Sequence, residues 1–122
     1  MATENLTGFK TMLAGAAIAR GDRVKLTAAN TVQTAGLAEA SIGIAQDAIA
    51  SGDYGTIALF AGRTFRMRAK AAITAAALVY GHASGAIDDD STSAGNAIGW
   101  ANEAATAAGD FIEVIPRQAE SA

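Results

Sequence analysis

Few side chains in this chain have the type and spacing for chemistry. His82 is the single histidine; as a general base it needs a nucleophile and an orienting acid close by. It follows Gly81 in a small-residue stretch, which reads more simply as a surface histidine at a strand edge or turn. Asp88-Asp89-Asp90-Ser91-Thr92-Ser93 clusters the hard oxygen donors that Ca²⁺ takes. Its spacing fits no calcium loop, however, and a hairpin connection has the same composition. Arg66, Arg68 and Lys70 recur at period two with Arg63 nearby, a pattern shared by a phosphate-binding strip and an ordinary wet strand face. A net charge of −3 and the lack of aromatics between the basic residues argue against a single-strand stacking platform. The chain has no Gly-x-Ser-x-Gly elbow, His-Glu-x-x-His, Walker loop or dinucleotide fingerprint. The expectation is no catalytic residue, no cofactor site and no metal site.

The elements that must hold these residues read as mainly β. Asp22 to Thr27 alternates, with Val24 and Leu26 on one face and Arg23 and Lys25 on the other. Ile57 and Leu59 share a face of the Thr56–Phe60 run, and Phe65 and Met67 lie opposite Arg66 and Arg68 in a half-buried strand. Phe111 to Ile115 forms a last short strand, closed by the single proline, Pro116. The alanine-rich segments Ala14–Ala19 and Ala69–Ala77 have the composition of helical turns, but each leads quickly into β-patterned residues, so short turns feeding strands are expected. Gly36–Ala40 and Asp88–Gly95 read as exposed connections.

The pattern is stated twice. Ala16-Ala17-Ile18, Val24, Ser41 to Ala48 and Ser51-Gly52-Asp53-Tyr54 return as Ala71-Ala72-Ile73, Val79, Ala97 to Ala104 and Ala108-Gly109-Asp110-Phe111, at offsets drifting from 55 through 56 to 57. The repeat keeps turn glycines and apolar anchors but no reactive group, so it describes architecture. One departure stands out: Ala75-Ala76-Ala77 replaces Arg20-Gly21-Asp22, so the second copy lacks the Gly-Asp turn before its strand. The expected organisation is an arm over 1–13, one β domain over 14–117 with pseudo-repeats 14–68 and 69–117, and a tail over 118–122.

Bulk composition fits a molecule that works among neighbours. The 122 residues suit one domain, 32 of them are alanine, and aromatics amount to one Trp, two Tyr and four Phe. Alanine buries little area, at roughly 25 cal/mol per Å², so the core is expected to be thin. No cysteine is present, which removes disulfides and thiolate sites. Residues 1–70 carry a net +3 and residues 71–116 a net −6, with no Lys or Arg in the latter. Such polarity can orient subunits or simply serve solubility. The N-terminus has no basic start followed by an apolar stretch, and the Ala69–Tyr80 run carries Lys70 and is too short to span a bilayer. Asn5-Leu6-Thr7 matches a glycosylation acceptor that has no secretory context.

Residues 14–26 (Ala-Gly-Ala-Ala-Ile-Ala-Arg-Gly-Asp-Arg-Val-Lys-Leu), Ile42-Gly43-Ile44-Ala45 and Ser51-Gly52-Asp53-Tyr54 resemble half of a family of small tailed-phage proteins. Those are the capsid cement, or head decoration, proteins. Ala71-Ala72-Ile73, Val79-Tyr80, Ile98-Gly99-Trp100-Ala101 and Ala107-Ala108-Gly109-Asp110 resemble the other half. The resemblance implies a small β-barrel or β-tulip-like domain with an extended N-terminal arm, on the outer face of an assembled head. It further implies contact with the major capsid protein and with copies of itself, often as trimers, and no direct contact with nucleic acid or membrane. The arm through Asn5, Leu6, Phe9, Lys10 and Met12 and the face carrying Arg63, Arg66 and Arg68 are the expected contact regions, the arm by strand-edge pairing. Rival readings are a virion fibre or receptor-binding module and a small ligand-binding or enzymatic β-barrel.

Overall fold

A computed structural model of the chain describes residues 8–36, 39–60, 64–90 and 97–117. The strands are β1 (Phe9–Ala14), β2 (Arg23–Ala28), β3 (Thr31–Thr34), β4 (Gly43–Ala45), β5 (Tyr54–Leu59), β6 (Phe65–Arg68), β7 (Leu78–Gly81), β8 (Ile87–Asp88), β9 (Ala97–Ala101) and β10 (Phe111–Pro116). A 3₁₀ turn at Ala83–Gly85 joins β7 to β8.

The first five strands close into a barrel, β1-β3-β2-β4-β5. The last five form a sheet in the order β6-β10-β9-β7-β8, the same succession of repeat counterparts read the opposite way round from β6. The first barrel closes through parallel β1 and β3, with Ala14 opposite Val32. Its counterpart in the second half is a lone parallel bridge between Ala69 and Ile87. The sequence repeat is therefore a repeat of strand order, with a closed barrel in the first half and a sheet tied at its edges by one bridge in the second.

Alternation explains the cores. Met12, Ala14, Ile18, Val24, Val32, Ala45, Ile49 and Ile57 fill the first barrel. Phe65, Met67, Ile73, Val79, Ile87, Ile98, Ile112 and Val114 form the core of the second sheet, joined there by Ile44 and Ala58 from the first half. Ile44 and Ala58 sit one residue out of phase with the inward Ala45 and Ile57, so they point outward and seal one half against the other.

The alanine-rich segments are short bends and turns feeding strands, each pinned by one antiparallel bridge, Ile18 to Ile49 and Ile73 to Ala105. Tertiary pairing of one apolar residue per segment overrides alanine's helix propensity. Other expectations change. Phe9 to Leu13, assigned to the arm, lie in β1, which pairs with β5 from Phe9 opposite Ala58 to Leu13 opposite Tyr54. The missing Gly-Asp turn is not missing: Ala76 adopts φ 71, matching φ 85 at Gly21. Both turns donate to a strand, Gly21 N–H to the Ala45 carbonyl at 2.9 Å and Ala76 N–H to the Ala101 carbonyl at 2.8 Å.

Candidate interaction surface

Where the two halves meet, the face pattern of β2 departs from simple alternation. Leu26 is 54% exposed, whereas Arg23 is fully buried. Its guanidinium donates across the junction: Nε to the Ala86 carbonyl at 3.0 Å, and Nη2 to the carbonyls of His82 (2.6 Å), Gly36 (3.1 Å) and Ala35 (3.3 Å). Burial lowers its pKa to about 10, against the opposing pull of Asp22 and Glu39, so it stays cationic at neutral pH. Four carbonyls spread over two segments suit arginine's planar, multi-donor head, and Nη1 alone has no partner.

Asp22, also buried, completes the junction. Arg68 Nη2 meets its Oδ1 at 2.7 Å and the Ser84 carbonyl at 2.6 Å. Thr34 Oγ1 and the Ala19 N–H donate to Asp22 Oδ2 at 3.0 and 3.2 Å. The Gly85 N–H donates to the Ala35 carbonyl at 2.9 Å, so backbone and side chains together tie the β7–β8 turn to the first barrel.

This arrangement redistributes the expected contact residues. Arg68 is spent on Asp22 within the chain and does not project as a free cation. Met12 is 3% exposed in the first core, because its position in β1 faces inward; an outside partner cannot reach it there. Phe9 is 40% exposed, Lys10 is half-buried, and Arg66 is exposed on β6 opposite Glu113 of β10. Asn5, Leu6 and Arg63 lie outside the described residues. A groove lined by Arg20, Gly21, Ile44, Gln46, Arg66 and Phe111 runs along the junction, with the Arg20 guanidinium 5.9 Å from the Phe111 ring centre. The period-two basic row is thus interrupted by Glu113 and Asp22.

The other candidate groups have local roles. His82 Nδ1 accepts from the Ala83 N–H at 2.8 Å and caps the 3₁₀ turn. Asp89 accepts from the Thr74 N–H at 3.1 Å and Asp88 from the Asp89 N–H at 2.8 Å, while Ser91, Thr92 and Ser93 are outside the described residues. Among the described residues no group of three His, Asp or Glu converges on a cation position. Nor is any helix among them long and apolar enough to cross a membrane.

Sequence reading missed the buried Asp22–Arg23 pair and the exposed Trp100, Ile115, Tyr54 and Leu26. One signal was available: Leu78 and Ala77 stand at the repeat positions of Arg23 and Asp22, marking two charges that one copy needs and the other does not.

Comparison with known proteins agrees with this architecture. No curated protein matches the chain. The fold is similar to the crystal structure of the head fiber gp8.5 N base in bacteriophage phi29, with a TM-score of 0.71, 14% identity, and coverage of 89% of this chain and 92% of that one. At that identity the likeness is one of fold. The family model described as phage cement protein matches residues 10–116, from the second residue of β1 to the last of β10. The match places this barrel and sheet among phage structural proteins of the outer capsid surface, and the chain belongs to the phage cement protein family.

Proposed function

We propose that this chain is a non-catalytic cement protein that binds the outside of an assembled phage head and holds neighbouring major capsid proteins together, with copies of itself arranged as a trimer. The observation that carries this reading is the family match over residues 10–116. A partner that binds only the assembled shell stabilises it by mass action, and no reaction is required. Phe9, Lys10 and Arg66 are the proposed capsid contacts among the described residues, with Asn5, Leu6 and Arg63 alongside them in sequence.

Particles from the source, prepared with the protein present and depleted, test this by mass spectrometry and cryo-electron microscopy. Stoichiometric density over the major capsid protein, and depleted heads that burst at lower temperature or milder osmotic shock, are the expected results. Absence of the protein from purified particles overturns the reading. A fibre-base role is the second reading, favoured by the likeness to the head fiber base; it predicts a long projection rising from the same density.

A further inference from the structure

The groove along the junction changes sign from one end to the other. Arg20, Gln46 and Arg66 line one stretch of it with Phe65 and Phe111. A second stretch adjoins the first at Phe65, Arg66 and Phe111 and is lined further on by Thr64, Glu103 and Glu113. A basic end thus lies beside the first half and an acidic end along β10 and the loop before it.

The two arginines have no counter-charge inside the chain. Ion pairs among the described residues join Lys25 to Glu39 and Arg68 to Asp22, and neither involves Arg20 or Arg66. Glu113 stands opposite Arg66 on the neighbouring strand. Its two oxygens are instead taken up by Thr64 Oγ1 at 2.6 Å and Asn102 Nδ2 at 2.9 Å. The Arg20 guanidinium lies over the Phe111 ring, 5.9 Å from its centre, where a cation is held only weakly. The repeat does not call for these cations either. Their counterparts are Ala75 and Thr11, so the pair occurs only where the two halves form the groove.

Between the arginines lies an aromatic surface that cannot easily move. The Phe111 ring reaches from β10 onto Gly21, where a Cβ would overlap it, and it remains 39% exposed. Phe65 in the same lining is 4% exposed and belongs to the core. A fixed, partly exposed ring beside unpaired arginines has the composition in which interface anchors are enriched. Arginine's preferred partner is a carboxylate, met through charge-assisted hydrogen bonds.

We propose that this groove receives an acidic segment of the major capsid protein, with an Asp or Glu side chain at the Arg20–Arg66 end and an apolar neighbour on the Phe111 ring. Glu103 and Glu113 repel a second acid at the far end and so fix the direction in which the segment lies. They also disfavour nucleic acid, whose evenly spaced phosphates would run past them. The proposal rests on the head-binding reading and gives it a partner chemistry.

The test returns the full chain to heads depleted of it and counts bound copies by gradient sedimentation. Arg20→Glu and Arg66→Glu are each expected to weaken binding by about tenfold or more, the scale of a lost hydrogen bond to a charged group, at unchanged melting temperature. Arg20→Lys and Arg66→Lys then identify the partner. A water-soluble carbodiimide activates a neighbouring carboxyl, and the introduced amine displaces the urea to form an amide. Peptide mass spectrometry is expected to find that amide on an Asp or Glu of the major capsid protein. Wild-type affinity in both Glu variants overturns the proposal, and so do amides found only on a second copy of this chain. Loss of single-stranded DNA binding in the Glu variants, with head binding unchanged, overturns it in favour of nucleic acid. A wild-type chain that does not bind heads overturns the head-binding reading and the proposal with it, so the wild type alone tells the two failures apart. Circular dichroism checks folding, and Arg20→Gln or Arg66→Gln replaces a Glu variant that unfolds.

Discussion

Ala76 holds a conformation that favours glycine. At φ 71 its Cβ crowds the following carbonyl, a cost of about 1–2 kcal/mol for an L-residue. The residue is exposed, so its methyl returns little in packing. Ala76→Gly should therefore stabilise the protein by about 0.5–1 kcal/mol, relief of strain outweighing the added freedom of the unfolded chain. Chemical denaturation reads this as a higher midpoint at unchanged slope; a lower midpoint would mean that the turn is not strained. Gly21 at the same repeat position cannot be exchanged the other way, because a Cβ there would overlap the Phe111 ring. Arg23 was invisible for a related reason. In sequence it is the polar partner of an alternating strand, and only the second half folding over it makes it an interior residue.

Four of the ten strands, β2, β5, β6 and β10, were legible as strands. The reading of Phe65 and Met67 inward with Arg66 and Arg68 outward holds along β6, whose burial follows that alternation. Phe111 to Ile115 lies in a strand that runs one residue further, to Pro116. Register was less legible, because it depends on which backbones can approach. Gly43 and Gly99 occupy equivalent places, and a Cβ on either would run into a carbonyl of the neighbouring strand, that of Ala58 or of Ile115. Gly43→Ala and Gly99→Ala should each cost about 1–3 kcal/mol, the range for forced overpacking. Equal losses in urea unfolding would mark the two halves as mechanically equivalent. No loss at Gly99, where β9 pairs with β10, would show that the second sheet yields where the closed barrel does not.

At the scale of the molecule, acid tests three surface carboxylates that hydrogen bonds favour in their ionised form. The Asp110 carboxylate accepts from the Thr106 hydroxyl and from the Thr106 and Ala107 N–H groups, which hold its pKa below the ordinary value. Hydrogen bonds from Thr64 and then Asn102 do the same for Glu113, and from Lys25 and then the Gly36 N–H for Glu39. A carboxylate with a lowered folded pKa contributes stability above its unfolded pKa and loses it as pH falls through the folded one. The melting temperature should therefore drop between about pH 5 and pH 2, and Asp110→Asn with Glu113→Gln should flatten that drop while lowering the plateau near neutrality. A double variant that keeps the wild-type slope would place the acid sensitivity elsewhere.

Sequence by itself determined the β class, the doubling, and the absence of recognised catalytic motifs, because alternation, spacing and residue type are local properties. It also carried the resemblance that the family match over residues 10–116 confirms. Tertiary structure alone decided which polar residues became interior and which apolar ones stayed outside. Arg23 and Leu78, or Ile44 and Trp100, hold equivalent places in one strand pattern; their different burial comes from a neighbour lying against one barrel and none against the other. Burial is a relation between surfaces, and two copies of a pattern fall into different environments once the chain has folded one against the other.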